Sequence, residues 1–75
     1  MDKKRFTKNE YEKAIDQVIV GENKAKRDRN ILKARLIDGE TLEEIAEREN
    51  LSSTRTFLII KKWQQLIIKY LNDAY

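Results

Sequence analysis

The stretch that decides the fold is TLEEIAERENLSSTRTFLIIKK, residues 41–62. Thr41 is followed three residues later by Glu44, a spacing that lets each side chain cap the backbone of the other at the start of a helix. The apolar residues that come next share one helical face: Leu42, Ile45 and Ala46. Because glutamates and Arg48 occupy the opposite face, the pattern predicts a short amphipathic helix over residues 41–49.

A second helix is predicted directly after this one. Asn50 favours the left-handed conformation that ends a helix, Leu51 can turn inward, and Ser52 is a good cap for the helix that follows. Two short helices joined by a sharp turn, with the small Ala46 at the crossing, predict a helix-turn-helix motif over residues 41–62. The second helix of such a motif normally enters the major groove of DNA.

The outward positions of the second helix supply the candidate DNA contacts. They are Thr54, Arg55, Lys61 and Lys62. Arg55 is the best candidate for a guanine contact. Arg55 stands where the helix macrodipole prefers an acid, and a nearby phosphate would offset that cost.

Composition limits the chain to one small domain. Its 75 residues include no Cys, His or Pro and only two Gly, so we expect an almost entirely helical protein without disulfides or zinc. No catalytic constellation is visible, because the commonest general base and the thiol nucleophile are both missing. We therefore expect no enzymatic activity, no cofactor and no small-molecule ligand. With no secretory signal and no apolar run of membrane-spanning length, a cytoplasmic location is expected.

Net charge is only +3, from 16 basic and 13 acidic residues, so its distribution matters more than its sum. Both ends of the chain are basic, whereas residues 30–50 are acidic. DNA contact should therefore be confined to particular basic surfaces. One such surface is the start of the second predicted helix, with candidate phosphate contacts at Lys24, Lys26 and Arg27. The alternative for these three residues is an ordinary solvated helix surface.

Helical periodicity and caps predict an all-α domain of four helices near residues 7–20, 23–38, 41–49 and 52–72. Thr7 with Glu10 should cap the first helix, and Asn23 should cap the second. The domain is predicted to span residues 7–75, after a flexible basic arm at residues 1–6.

The last predicted helix is unusually apolar. A stripe of large residues (Ile59, Trp63, Leu66, Ile67 and Tyr70) is widened by neighbours to about 200° around the helix, whereas a monomer needs little over 100°. The excess predicts a homodimer whose interface contains Phe57, Ile60, Ile68 and Leu71. In the competing interpretation, the first helix folds back and covers this surface within one chain.

Residues 29–66, RNILKARLIDGETLEEIAERENLSSTRTFLIIKKWQQL, resemble region four of bacterial sigma factors and the small phage and mobile-element regulators built on it. The residues that match the family pattern are Arg29, Leu32, Arg35, Leu36, Asp38, Gly39, Glu43, Glu44, Ile45, Ala46, Leu51 and Ser52. The resemblance covers about half of the chain, and EEIA with the following turn is its most specific part.

The resemblance implies sequence-specific recognition of double-stranded DNA by the helix after Ser52, and hence a transcriptional regulator. The positions that it places at or near bases and phosphates are Ser53, Thr54, Arg55, Leu58 and Lys62. Leu58 can touch a thymine methyl group or belong to a protein interface. The chain departs from the family at Thr56, where a buried Val or Ile is usual, and at Phe57 and Leu58, where polar DNA-facing residues are usual. These departures favour a second hypothesis. In it, the chain is a protein-interaction module that docks on RNA polymerase, another regulator or a phage packaging protein without binding DNA.

Overall fold

Four α-helices account for most of the chain in the computed structural model, which describes residues 6–74. They are α1 (Lys8–Val18), α2 (Lys24–Leu36), α3 (Leu42–Glu49) and α4 (Ser53–Ala74). Residues 6–74 contain no β-strand, so the all-α prediction is confirmed, and every predicted helix boundary lies within two residues of the observed one. None of these helices is both long and apolar enough to cross a membrane.

Reciprocal caps fix the starts of α1 and α3. At α1, the Thr7 N–H donates to Glu10 Oε1 at 2.8 Å and the Glu10 N–H donates to Thr7 Oγ1 at 3.1 Å. Thr41 and Glu44 repeat this arrangement at α3, with distances of 2.9 and 3.1 Å. Each pair of reciprocal hydrogen bonds satisfies two backbone N–H groups that the start of a helix otherwise leaves unpaired. Because the residues involved lie within four positions of each other, the sequence alone located the starts of both helices.

The connection between α1 and α2 differs from its prediction. α1 ends at Val18, and Gly21 (φ 119°) turns the chain in a conformation that few other residues adopt. Asn23 occupies the cap position of α2, but its side chain makes no capping hydrogen bond. Its φ of 60° lies far from the extended backbone of a normal cap residue, so the prediction that Asn23 caps α2 through its side chain is wrong.

The core lies where α4 packs against all three other helices. Its buried apolar residues are Ala14, Ile15, Ile19, Ile31, Leu32, Ala34, Ile45, Ile59, Ile60, Ile67 and Leu71. Phe6 also packs against this core and meets Tyr11 edge-on, with ring centroids 6.0 Å apart. The predicted basic arm therefore reaches the folded domain at Phe6, and its other residues, 1–5, lie outside the described part of the chain.

Burial corrects the predicted dimer interface at two positions. Ile60 is 4% exposed and Leu71 is fully buried within a single chain, in the core where α4 packs against the other three helices. Neither side chain is available to a second copy, so the prediction is wrong for this pair. Phe57 remains 47% exposed and Ile68 is half-buried. α1 does pack against α4, as the competing interpretation expected, but Phe57 and Ile68 of the predicted surface are not fully covered.

Thr56 takes the place of an apolar residue in this core. It is fully buried, and its Oγ1 donates to the carbonyl oxygen of Ser52, one turn earlier, at 2.9 Å. The hydroxyl is therefore satisfied inside its own helix, while the methyl group packs inward. Thr56 thus fills the buried position for which an apolar side chain was expected.

Candidate nucleic-acid interface

A tight three-residue turn, residues 50–52, sets the start of α4 against the end of α3. Asn50 adopts the left-handed conformation (φ 59°, ψ 45°), and its N–H donates to carbonyl oxygens of α3. The Leu51 N–H donates to the carbonyl oxygen of Ala46 at 2.9 Å. Ser52 Oγ then accepts the N–H of Arg55 at 3.0 Å and caps α4. These bonds hold the first turn of α4 in one orientation relative to α3.

All six predicted DNA contacts on α4 are exposed: Ser53, Thr54, Arg55, Leu58, Lys61 and Lys62. At 100° per residue, the last five fall within an arc of roughly 120°, on the side of α4 that points away from the core. Ser53 begins the helix outside this arc. We call the five residues of the arc the outer face of α4. Gln65 is exposed on the same face, one heptad after Leu58, and was not predicted.

Three positive charges on the outer face have no acidic partner within the described residues. Among residues 6–74, no carboxylate forms an ion pair with Arg55, Lys61 or Lys62. Some basic residues elsewhere are paired, such as Lys33 with Asp16 at 3.1 Å and Arg48 with two glutamates. The outer face is therefore positive and uncompensated.

The two lysines of the outer face bend to opposite sides of α4. Lys61 Nζ lies 5.9 Å from the ring centroid of Phe57, and Lys62 Nζ lies 4.9 Å from that of Trp63. Leu58 is left between them, 55% exposed, at one end of a shallow depression of about 410 Å³. The face thus combines an apolar strip with a cation on each side.

α3 carries the opposite charge. Glu43, Glu44 and Glu47 are exposed on it. Arg48, its only base, is bound by Glu40 and Glu49, and the hydrogen bond to Glu40 raises the pKa of its guanidinium further above the ordinary value. Because α3 stays acidic, it would repel a phosphate backbone. This limits any DNA contact to α4 and to basic surfaces beside it.

One such surface is joined to α4 by Asp28. Asp28 Oδ1 accepts from Arg27 Nη2 at 3.1 Å and from Arg27 Nε at 3.3 Å, while Asp28 Oδ2 accepts from Trp63 Nε1 at 2.9 Å. Lys62 lies over the ring of the same tryptophan. Of the three predicted phosphate contacts on α2, Arg27 is therefore connected to α4. Lys24 and Lys26 are exposed at the start of α2, and no observed contact connects them with α4.

Sequence reasoning missed the role of Asp28. Its two partners are the neighbouring Arg27 and a tryptophan 35 residues away, and nothing in the local pattern links them. The available signal was weak: Asp28 is a single acid within a basic run, in a chain with one tryptophan that needs a hydrogen-bond acceptor when buried.

No protein-family model matches the chain, and neither curated proteins nor solved structures give a match. The likeness of residues 29–66 to region four of sigma factors therefore stays a resemblance.

Proposed function

We propose that this protein is a small, sequence-specific DNA-binding transcriptional regulator in which α3 and α4 form a helix-turn-helix and the first half of α4 enters the major groove. The observation that carries the proposal is the outer face of α4, where Arg55, Lys61 and Lys62 have no acidic partner within residues 6–74. Phosphate groups are the natural counter-charges for such a surface.

The side chains of this face divide between base reading and backbone contact. Arg55, in the first turn of α4, has the fork of donors that fits guanine O6 and N7. Leu58 presents an exposed apolar surface suited to a thymine methyl group. Ser53 and Thr54 donate to phosphates or base edges near the start of the helix, where the macrodipole also favours anions. Lys61 and Lys62 contact phosphates.

A second phosphate contact comes from α2. Arg27 and Lys62 both lie against the pair formed by Asp28 and Trp63. A DNA strand that runs past Lys62 would therefore pass close to Arg27. In this proposal Asp28 is a positioning residue, because it holds Arg27 without touching DNA.

Titration with mixed-sequence duplex DNA at two salt concentrations tests the proposal. Binding through several phosphate contacts should weaken by orders of magnitude between about 50 and 200 mM salt, because bound cations are released from the DNA. The double variant Lys61→Ala/Lys62→Ala should lower the salt dependence by about one unit of slope for each lysine. Lys8→Ala/Lys13→Ala removes the same charge from exposed positions of α1 and is the matched control.

The control should retain the salt slope of the unchanged protein. Equal losses in both double variants would mean that only total charge matters and would contradict an interface on α4.

The second candidate function is a protein-interaction module, and it is favoured by the exposure of Phe57 (47%) and Leu58 (55%) on or beside the same face. Absence of binding at the lower salt concentration would support that alternative.

A further inference from the structure

A groove of about 850 Å³ runs along one side of α4, next to the outer face. Leu42 of α3 and Arg35 of α2 form its far wall. From Phe57 to Asp73 the groove follows α4 over 16 residue-to-residue steps, which corresponds to about 24 Å at 1.5 Å per step. That length exceeds a small molecule and fits one α-helix of four to five turns.

The part of the groove between Phe57 and Ile68 has an apolar floor. Its open apolar surface comes from Leu42, Phe57 and Ile68, while Ile60 beneath them is nearly buried. Phe57 is 47% exposed, and Leu42 and Ile68 are half-buried. Polar side chains also line the groove: Gln64, Gln65 and Asn72. An amphipathic helix bound in a groove of this kind places apolar side chains on the floor at a spacing of three to four residues.

The rim is basic. Arg35, Lys61 and Lys69 border the groove, whereas Asp73, at its far end, is the only carboxylate that lines it within the described residues. Lys61 and Lys69 form no ion pair within residues 6–74. The Arg35 Nη1 group donates to the carbonyl oxygen of Glu40 at 2.9 Å, which fixes the guanidinium at the rim without neutralising it.

We propose that this groove binds an acidic amphipathic α-helix of a partner protein, with apolar side chains on the floor and carboxylates opposite the three basic groups. Charge complementarity selects this occupant. A second copy of the chain, docked groove to groove about a two-fold axis, would set the same three cations against themselves. DNA offers no apolar ridge that fits the floor.

The groove shares Lys61 with the proposed DNA contacts and Gln65 with the outer face, and its other lining residues lie outside the DNA interface. DNA would contact the outer face near the start of α4, and the partner helix would lie beside it. The proposal does not depend on DNA binding, and its test uses no DNA.

Two synthetic helical peptides of 16 residues test the proposal with the full-length protein. Both carry leucine at a spacing of three and four residues, and the other positions are mainly Glu in one and Lys in the other. Binding is followed by fluorescence anisotropy of a labelled peptide and by backbone amide chemical shifts. We expect saturable binding of the Glu peptide, with shifts concentrated at Phe57, Ile68 and Leu42, and much weaker binding of the Lys peptide.

Lys69→Glu is the test variant, since Lys69 is exposed on the rim and is not among the predicted DNA contacts. It replaces an attraction by a repulsion, so the affinity for the Glu peptide should fall between about twofold and thirtyfold. Lys13→Glu makes the same charge change on α1 and should leave the affinity unchanged. Circular dichroism checks that both variants fold.

Three results would overturn the proposal. They are no saturable binding of the Glu peptide at millimolar concentration, equal binding of both peptides, and equal weakening by Lys69→Glu and Lys13→Glu. A further contradictory result would be a dimer of the protein alone that becomes tighter in Lys69→Glu, because the groove would then accept a second copy.

Discussion

Asp28 accepts three hydrogen bonds, two from the neighbouring Arg27 within α2 and one from Trp63, and the bond from Trp63 joins the start of α2 to α4. Its side chain is only 14% exposed. Asp28→Ala would leave the indole N–H and the guanidinium without their acceptor in a region that water reaches poorly. We expect the free energy of unfolding to fall by about 1–3 kcal/mol, measured by urea unfolding with circular dichroism.

Asp28→Asn is the matched control for this prediction. Its amide oxygen can still accept from Trp63, and only the charge that attracts Arg27 is lost, so we expect a cost of about 1 kcal/mol or less. If the two variants were equally stable, the bond from Trp63 to Asp28 would contribute little, and the connection between α2 and α4 would depend on apolar packing instead.

Ser52 caps α4 by accepting the N–H of Arg55. Ser52→Ala removes this acceptor and should lower the free energy of unfolding by about 1 kcal/mol. The adjacent Ser53 is exposed and forms the first residue of the helix, so Ser53→Ala should change stability by less than about 0.5 kcal/mol. Thermal and urea unfolding of both variants measure the difference. A cost for Ser53→Ala as large as that for Ser52→Ala would rule out this cap.

Along α4 we expect two kinds of DNA contact, one that reads a base and one that binds phosphate. Arg55→Ala should weaken binding to the preferred sequence by about 1–3 kcal/mol and relax specificity at one position. Lys62→Ala should weaken binding to all sequences alike, because a phosphate contact carries no sequence information. Competition between a selected duplex and random duplex separates the two effects. Equal losses on both duplexes for both variants would contradict these roles.

The sequence predicted where the helices lie better than which sides of them are buried. Caps are local, so Thr7, Thr41 and Asn50 marked helix ends without knowledge of the rest of the fold. The buried side of α4 depends on how α1 and α2 pack against it. Leu66 (44% exposed) and Tyr70 (38% exposed) were expected inside but lie outside, whereas Ile60 and Leu71 are buried.

The reason is a rotation of the buried stripe by roughly 40–50° around the axis of α4, at 100° per residue. Thr56 lies within the true stripe, but a pattern that counts threonine as polar places it outside. Its hydroxyl bonds back to Ser52, which makes burial acceptable. The candidate DNA contacts were predicted correctly as exposed, because the cap at Ser52 fixes where α4 begins and therefore which residues follow on its outer side.

For the molecule as a whole, the burial of α4 weakens the physical argument for the homodimer that the apolar pattern predicted. Two of its four interface residues, Ile60 and Leu71, lie in the core of a single chain. The apolar residues still exposed on α4 alternate with Lys61, Lys62 and Lys69, which would repel their counterparts in a two-fold dimer. We therefore expect a monomer at micromolar concentration, measured by sedimentation equilibrium. A stable dimer that Ile68→Glu dissociates would contradict this expectation.

The surfaces to which we assign different functions also differ in charge. The outer face of α4 is basic and suits DNA, the groove beside it is apolar with a basic rim, and α3 is acidic. A single small domain could therefore bind DNA and a partner helix on adjacent surfaces. The central claim is that DNA occupies the outer face of α4.

Backbone amide chemical shifts, recorded while a short duplex is added at low salt, test this claim most directly. We expect the largest changes on residues 53–62 and weaker changes on residues 24–27 at the start of α2. The exposed side of α1 should not change. Changes centred on α1 or α3, or no changes at all under conditions that favour phosphate contacts, would contradict it.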